Sequence, residues 1–217
     1  MDHARARQNM VENQLRPNRI DDPRVIAAMA EVPRERFVPK ALRGVAYADE
    51  DLLLPGGGFL IEPLVLARLV QTARVGEDDV ALVLGCTTGY TGAVLSRLAG
   101  TVIICQPDAA TVSQIESLLD DLGAANVVVV ECEDPLDGHP SQAPYDVIVV
   151  AGSVDEVPEA LLQQLGENGR LVAVVDGGGV GKGTLFSRLH GAIGRRVMFD
   201  AQIPPVAGVR RPAEFAF

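Results

Sequence analysis

The sequence predicts a doubly wound α/β fold: a seven-stranded, mostly parallel sheet with helices on both faces. It adds an N-terminal helical extension and a C-terminal antiparallel hairpin. Three observations carry this expectation. From residue 79 onward, short runs of β-forming residues alternate with helical stretches. The runs are apolar throughout rather than at every second position, as strands covered on both faces must be. The last two runs have no convincing helix between them, so the alternation ends in a hairpin.

The elements follow in order. Residues 4–15 read as a polar helix. Asp21-Asp22-Pro23 opens a second one, because Asp caps a helix N-terminus and Pro is tolerated in the first turn. Val25, Ile26, Met29 and Val32 then form an apolar stripe at helical spacing, and Pro33 stops it. Residues 40–61 read mostly as loop, including Pro55-Gly56-Gly57-Gly58. Another helix opens at Glu62-Pro63 and carries Leu64, Leu66, Leu69 and Val70. The chain is thus divided into an extension over 1–61, packed on an α/β domain over 62–217. In that domain strands are expected at 80–84, 102–105, 127–130, 146–150 and 171–175, with helices at 89–99, 109–122 and 158–166. The closing hairpin pairs 184–189 with 197–201, and a final strand would bury Phe215 and Phe217 on one face.

Composition narrows the function. The net charge is −10, and no Lys/Arg cluster exceeds a pair, which argues against a nucleic-acid backbone as main partner. No apolar run reaches the roughly 18 residues of a membrane span, and Met1-Asp2-His3-Ala4-Arg5 leads into no apolar signal core. A cytoplasmic location and no membrane insertion are therefore expected. Cys86, Cys105 and Cys132 each end an expected strand. With no close Cys pair or Cys/His spacing they read as small buried hydrophobes, not as a disulfide framework or metal ligands, and no metal is expected. His3, His139 and His190 are scattered, with no nucleophile in view. The run Gly177-Gly178-Gly179-Val180-Gly181-Lys182-Gly183 lacks the Ser or Thr that follows the lysine of a phosphate loop, and reads as a surface loop.

Ligands of an open α/β sheet bind beyond the carboxyl ends of the strands, where the strand order reverses. The turn Gly85-Cys86-Thr87-Thr88-Gly89-Tyr90 has a strand before it and a helix after it, so its place is right. Its spacing is not that of a dinucleotide loop. The same two glycines are also what a bare tight connection requires.

Taken together, several segments resemble the protein-L-isoaspartate (D-aspartate) O-methyltransferase family. They are Met10-Val11-Glu12-Asn13-Gln14-Leu15, the run VIAAMAEVPRERFVP over 25–39, and Ala46-Tyr47-Ala48-Asp49. Others are Glu62-Pro63-Leu64-Val65-Leu66-Ala67-Arg68, Gly89-Tyr90, Pro144-Tyr145-Asp146-Val147-Ile148, and Pro158, Leu161, Gln164, Leu165, Gly169 and Leu171. The resemblance implies a class I, Rossmann-like methyltransferase fold with S-adenosylmethionine as cofactor. It implies a protein as partner, methylated on the α-carboxylate of L-isoaspartyl residues. The nucleophile is already ionised, so alignment rather than a strong base does most of the work.

The resemblance also assigns the site. Cofactor contacts fall on Gly85, Cys86, Gly89, Tyr90, Gln106 and Glu133. Here the residues depart from the family pattern. The serine beside the incoming carboxylate is replaced by Ile61, followed by Glu62. In the turn, the acid is Val83 and the middle glycine is Thr87. The acid for the ribose hydroxyls is Gln106, and the Gly-Asp-Gly facing adenine is Cys132-Glu133-Asp134. No catalytic residue is assigned. The departures predict weakened cofactor binding and weak or absent isoaspartyl methylation, in a protein serving as a binding or accessory subunit of a larger complex. The alternative expectation is an active carboxyl O-methyltransferase that repairs isoaspartyl residues. A nucleic-acid methyltransferase is disfavoured by charge, and by Ala151-Gly152-Ser153-Val154 at the end of the fourth strand, where an Asn/Asp-Pro-Pro-Tyr motif belongs.

Overall fold

A computed structural model describes residues 2–206. Helix α1 (His3–Met10) is capped by Asp2, whose carboxylate accepts from the Arg5 amide at 3.0 Å. It widens into a π-helical turn at Val11–Leu15 and then tightens into a 3-10 turn at Arg16–Asn18. Helix α2 (Pro23–Glu31) starts as expected: the Asp22 carboxylate accepts from the amides of Arg24 and Val25, and Pro23 sits in the first turn. Helix α3 spans Pro63–Ala73.

The segment between α2 and α3 is more ordered than its composition suggests. It holds 3-10 turns at Arg34–Phe37 and Lys40–Val45. It also holds a small hairpin in which β1 (Leu52–Leu53) pairs with β2 (Phe59–Leu60). Strands of two residues carry no readable period, so the loop reading missed them.

The main sheet comprises β3 (Val80–Leu84), β4 (Thr101–Gln106), β5 (Val127–Glu131), β6 (Tyr145–Val154), β7 (Leu165–Val175), β8 (Lys182–Leu189) and β9 (Ala192–Asp200). Their spatial order is β5-β4-β3-β6-β7-β8-β9. The first five are parallel, and the last two are antiparallel to their neighbours. Successive residues divide between two faces. Val83, Ile104, Val149 and Val172 face one cluster, which α2 to α5 and the N-terminal Met10 and Leu15 complete. Leu82, Leu84, Ile103, Ile148 and Leu171 face the other, with Leu161 and Leu162. Burial on both faces is why these strands read as unbroken apolar runs.

The helices between the strands are α4 (Tyr90–Leu95), α5 (Ala109–Asp121) and α6 (Glu159–Leu162). Helices α4 and α6 are shorter than the expected 89–99 and 158–166. After α4, Ser96 Oγ donates back to the Ala93 carbonyl at 2.7 Å, and the Arg97 and Leu98 amides bond three residues back, so the helix gives way to turns. After α6, Leu165 already belongs to β7. Strand β9 starts at Ala192, not at 197, because polar Gly194-Arg195-Arg196 lies on a sheet edge, where charge is normal. Its turn, His190-Gly191, has both φ values positive (52° and 76°), the conformation that two-residue hairpins favour. Gly177, Gly178 and Gly179 are exposed ahead of β8. Phe215 and Phe217 lie outside the described residues. Among the described residues no helix is long and apolar enough to cross a membrane.

Candidate functional site

The strand order reverses at β3, between β4 and β6. A crevice of about 680 Å³ opens there, within the size range of small-molecule sites. Its walls are the turn after β3 (Gly85, Thr87, Thr88), the end of β4 (Cys105, Gln106) with Pro107 and Asp108, one face of α5, residues 36–39, and the tip of the β1–β2 hairpin at 54–58.

Two glycines of the turn are demanded by the backbone. Gly85 has φ +71° and Gly89 φ +83°. A Cβ on Gly89 would also fall 2.7 Å from Ile115 Cγ2. Thr87 is not in the left-handed region, so only space favours a glycine there. Its side chain does something the sequence did not announce. Thr87 Oγ1 accepts from the Phe59 amide at 3.2 Å and donates to the Phe59 carbonyl at 3.0 Å. It thereby fastens the hairpin to the turn. Gly58 fits against it only because it lacks a Cβ, which would lie 2.7 Å from Thr87 Oγ1.

Gln106 is buried, and its Nε2 donates to the Cys86 carbonyl at 2.6 Å. A carboxylate cannot make that bond. Gln106 lines the crevice and keeps its carbonyl oxygen and a second amide N–H beyond that bond. The acid of this wall is Asp108, two residues on. It caps α5, accepting from Thr111 N at 2.8 Å and Thr111 Oγ1 at 2.7 Å, and the side-chain bond from Thr111, then its backbone bond, hold the carboxyl below the usual range.

The other expected contacts stand elsewhere. Cys86 turns its sulfur inward, where it accepts from the Thr91 amide at 3.3 Å. Tyr90 is fully buried, edge-on to Phe37 at 5.3 Å and under the Arg34 guanidinium at 4.9 Å. Gly89 sits behind the wall, and Glu133 is exposed outside the crevice lining. Of the six residues, Gly85 and Gln106 line the crevice.

The comparisons agree with this picture. The sequence model of the protein-L-isoaspartate (D-aspartate) O-methyltransferase family matches residues 5–194. The chain belongs to this family. A protein-L-isoaspartate O-methyltransferase of Koribacter versatilis is 35% identical over 202 residues, 93% of this chain and 90% of that one. One from Methanoculleus marisnigri is 39% identical over 175 residues, 79% and 77% of the two chains. A solved protein-L-isoaspartate O-methyltransferase superposes with a TM-score of 0.81 at 25% identity, covering 93% of this chain and 66% of that one. A Plasmodium falciparum structure, described as a complex with S-adenosyl-L-homocysteine, superposes at 0.77 with 18% identity over 92% and 97% of the two chains. It speaks for the fold. The fold is that of class I S-adenosylmethionine-dependent methyltransferases.

Ile61, which the sequence resemblance sets where a serine is expected, is buried. Its carbonyl accepts from Arg34 Nη2 at 2.5 Å, while Arg34 Nε donates to the Ala46 carbonyl at 2.6 Å. Arg34 is wholly buried and its pKa is lowered by desolvation, so it acts as a bolt across two loops. Beside it, burial first and then Asp51 and Asp49 push Glu62 up to about 7. Asp51 accepts from the Glu62 amide at 2.8 Å and is itself raised by burial.

The cysteine expectation needs correction. Cys105 and Cys132, 27 residues apart, are joined as a disulfide, while Cys86 stays free and buried. The parallel register of β4 and β5 brings them together: Cys105 lies opposite Val130, and the Cys132 amide donates to the Gln106 carbonyl at 2.8 Å. His139, read as isolated, has its Nδ1 3.9 Å from Cys132 Sγ. Linear spacing cannot report such a cluster, because the sheet creates it.

Proposed function

We propose that this family member binds S-adenosylmethionine in the crevice and methylates carboxylates of protein substrates slowly. The observation that carries the reading is the Thr87–Phe59 clasp across an otherwise suitable crevice. Gly85 allows a ligand to approach the backbone. Gln106 Oε1 and the Asp108 carboxylate suit the hydroxyls of a nucleoside. The space that a glycine at 87 would leave for the methionine end of the cofactor is taken by the threonine side chain and by Phe59.

Bound there, the cofactor supplies an electrophilic sulfonium methyl. The chain's own task is to bring a carboxylate in line and exclude water. Ile61 offers no hydrogen bond to that carboxylate. Ile61 and Glu62 stand outside the crevice lining, directly after β2; an anion brought in past them meets Glu62, which is neutral on the acid side of about 7, so its repulsion fades as pH falls through that value. A second reading, a binding or accessory subunit without transfer, is favoured by the same clasp if it stays shut.

Calorimetric titration with S-adenosylhomocysteine, and transfer of labelled methyl to an isoaspartyl peptide, test both. The proposal expects measurable binding and slow transfer that rises below pH 7. The absence of both heat and a thermal shift at millimolar ligand refutes cofactor binding. Absence of transfer, with or without cofactor binding, selects the accessory reading.

A further inference from the structure

We propose that Cys105 and Cys132 are a reversible dithiol–disulfide site that stiffens the crevice wall formed by β4 and β5. The Cα atoms are 5.6 Å apart, in the middle of the range a disulfide spans, and the two side chains face each other across β4 and the end of β5. The site is placed to matter. Cys105 lines the crevice and directly precedes Gln106. Cys132 begins the segment 132–139, which supplies Pro135 to the same wall. The pair therefore ties the strand carrying Gln106 to the segment that closes the crevice beside it.

That segment is otherwise held by a few hydrogen bonds. Gln164 accepts from the His139 amide at 3.0 Å and donates to the Asp137 carbonyl at 2.7 Å. Opening the disulfide leaves these, the Tyr145 hydroxyl's bond to the His139 carbonyl at 2.6 Å and the buried Leu136 as its anchors. The chemistry needed is also present. His139 Nδ1 stands 3.9 Å from Cys132 Sγ, in place to take the thiol proton. The Gly138 carbonyl, 3.8 Å from Cys105 Sγ, is the acceptor a reduced Cys105 thiol meets.

The oxidant is a low-molecular-weight disulfide. The Cys132 thiolate attacks one of its sulfurs, and one thiolate leaves. Cys105, having lost its proton, attacks Cys132 Sγ in the mixed disulfide and expels the second thiolate. Two protein thiols lose two electrons, and the small disulfide becomes two thiols, taking up the two protons. Cys105 (2% exposed) borders the crevice and Cys132 (8% exposed) is flanked by the exposed Glu133 and Asp134, so the small disulfide reaches the sulfurs as the segment 132–139 opens. The same sulfurs with His139 would also offer three ligands to a soft metal. The 5.6 Å Cα separation suits a disulfide, and the test separates the two.

The effect on the crevice rests on the cofactor reading above; the thiol chemistry does not. The full-length protein is equilibrated in mixtures of glutathione and glutathione disulfide, quenched in acid, unfolded, alkylated and weighed. The proposal expects one alkylated cysteine, Cys86, at the oxidising end and all three at the reducing end, with full reversal by dithiothreitol. Three alkylated cysteines at every ratio, or glutathione adducts without a cross-link, overturn it. So does stoichiometric zinc that blocks oxidation. In a second arm, S-adenosylhomocysteine affinity is measured in both redox states. The disulfide form should bind at least threefold tighter, and Cys132→Ser should abolish the difference. Equal, measurable affinities overturn the control of the crevice. Absence of binding in both states overturns the cofactor reading and leaves the thiol result standing.

Discussion

Replacing Thr87 by glycine separates the two things this residue does. The side chain makes two hydrogen bonds to the Phe59 backbone, at 3.2 and 3.0 Å. Each is worth about 0.5–1.5 kcal/mol net, and a glycine adds about 0.5–1 kcal/mol of backbone entropy to the loss. The substitution should therefore cost about 2–3 kcal/mol. At about 2–4 °C per kcal/mol for a chain of this size, the melting temperature should fall by about 5–10 °C. Cofactor binding should move the other way. If the methionine end needs the space between Thr87 and Phe59, binding to the parent carries the cost of opening the clasp. Removing that cost of about 2 kcal/mol should tighten S-adenosylhomocysteine by roughly tenfold to thirtyfold. Thr87→Val keeps the bulk without the bonds, so it should lose similar stability and gain less affinity. Thermal melts and calorimetric titration on the three proteins give both readouts. A glycine variant as stable as the parent would show that the clasp holds nothing. A less stable variant with unchanged affinity would show that the clasp does not obstruct the cofactor.

Four further outcomes follow from the same geometry. Gln106→Glu puts an acid where the sequence resemblance implies one but cannot donate to the Cys86 carbonyl; leaving that buried acceptor unpaired should cost about 1–3 kcal/mol in urea unfolding, with no gain in cofactor affinity. Ile61→Ser should lower stability by about 2–4 kcal/mol, because a buried side chain is truncated, yet raise methyl transfer per bound cofactor to an isoaspartyl peptide. Glu62 has a folded pKa of about 7 against an ordinary 4.5, so the fold binds its proton more tightly than the unfolded chain does, and stability falls as pH rises from 4.5 to 7. Glu62→Gln should then stabilise by about 1 kcal/mol at pH 8, after discounting for solvent screening, and change little at pH 4.5. Closing a loop over the 27-residue separation of Cys105 and Cys132 should make the oxidised protein about 3–4 kcal/mol more stable than the reduced one, read by urea unfolding with and without dithiothreitol.

What could be read in the sequence depended on whether a residue answers to its own backbone or to a distant partner. Val80–Leu84 and its parallel neighbours were legible because burial on both faces leaves a continuous apolar run. Gly85 and Gly89 were legible because a left-handed backbone restricts the choice of residue. Thr87 looked like a loss because its partner, Phe59, lies 28 residues away in a hairpin too short to leave a pattern. Gln106 looked like a weakened acid for the same reason. Its amide answers to the Cys86 carbonyl, and Asp108 brings a carboxylate back to the same wall. Family membership therefore followed from the scaffold, where local rules hold, while the character of the site lay in contacts between β4, the turn after β3 and the β1–β2 hairpin. A substitution at such a place is a change of partner before it is a loss of function, so the residues that depart from the family pattern must be tested in pairs. Gln106→Glu alone should fail, and the informative comparison is Thr87→Gly with and without Ile61→Ser.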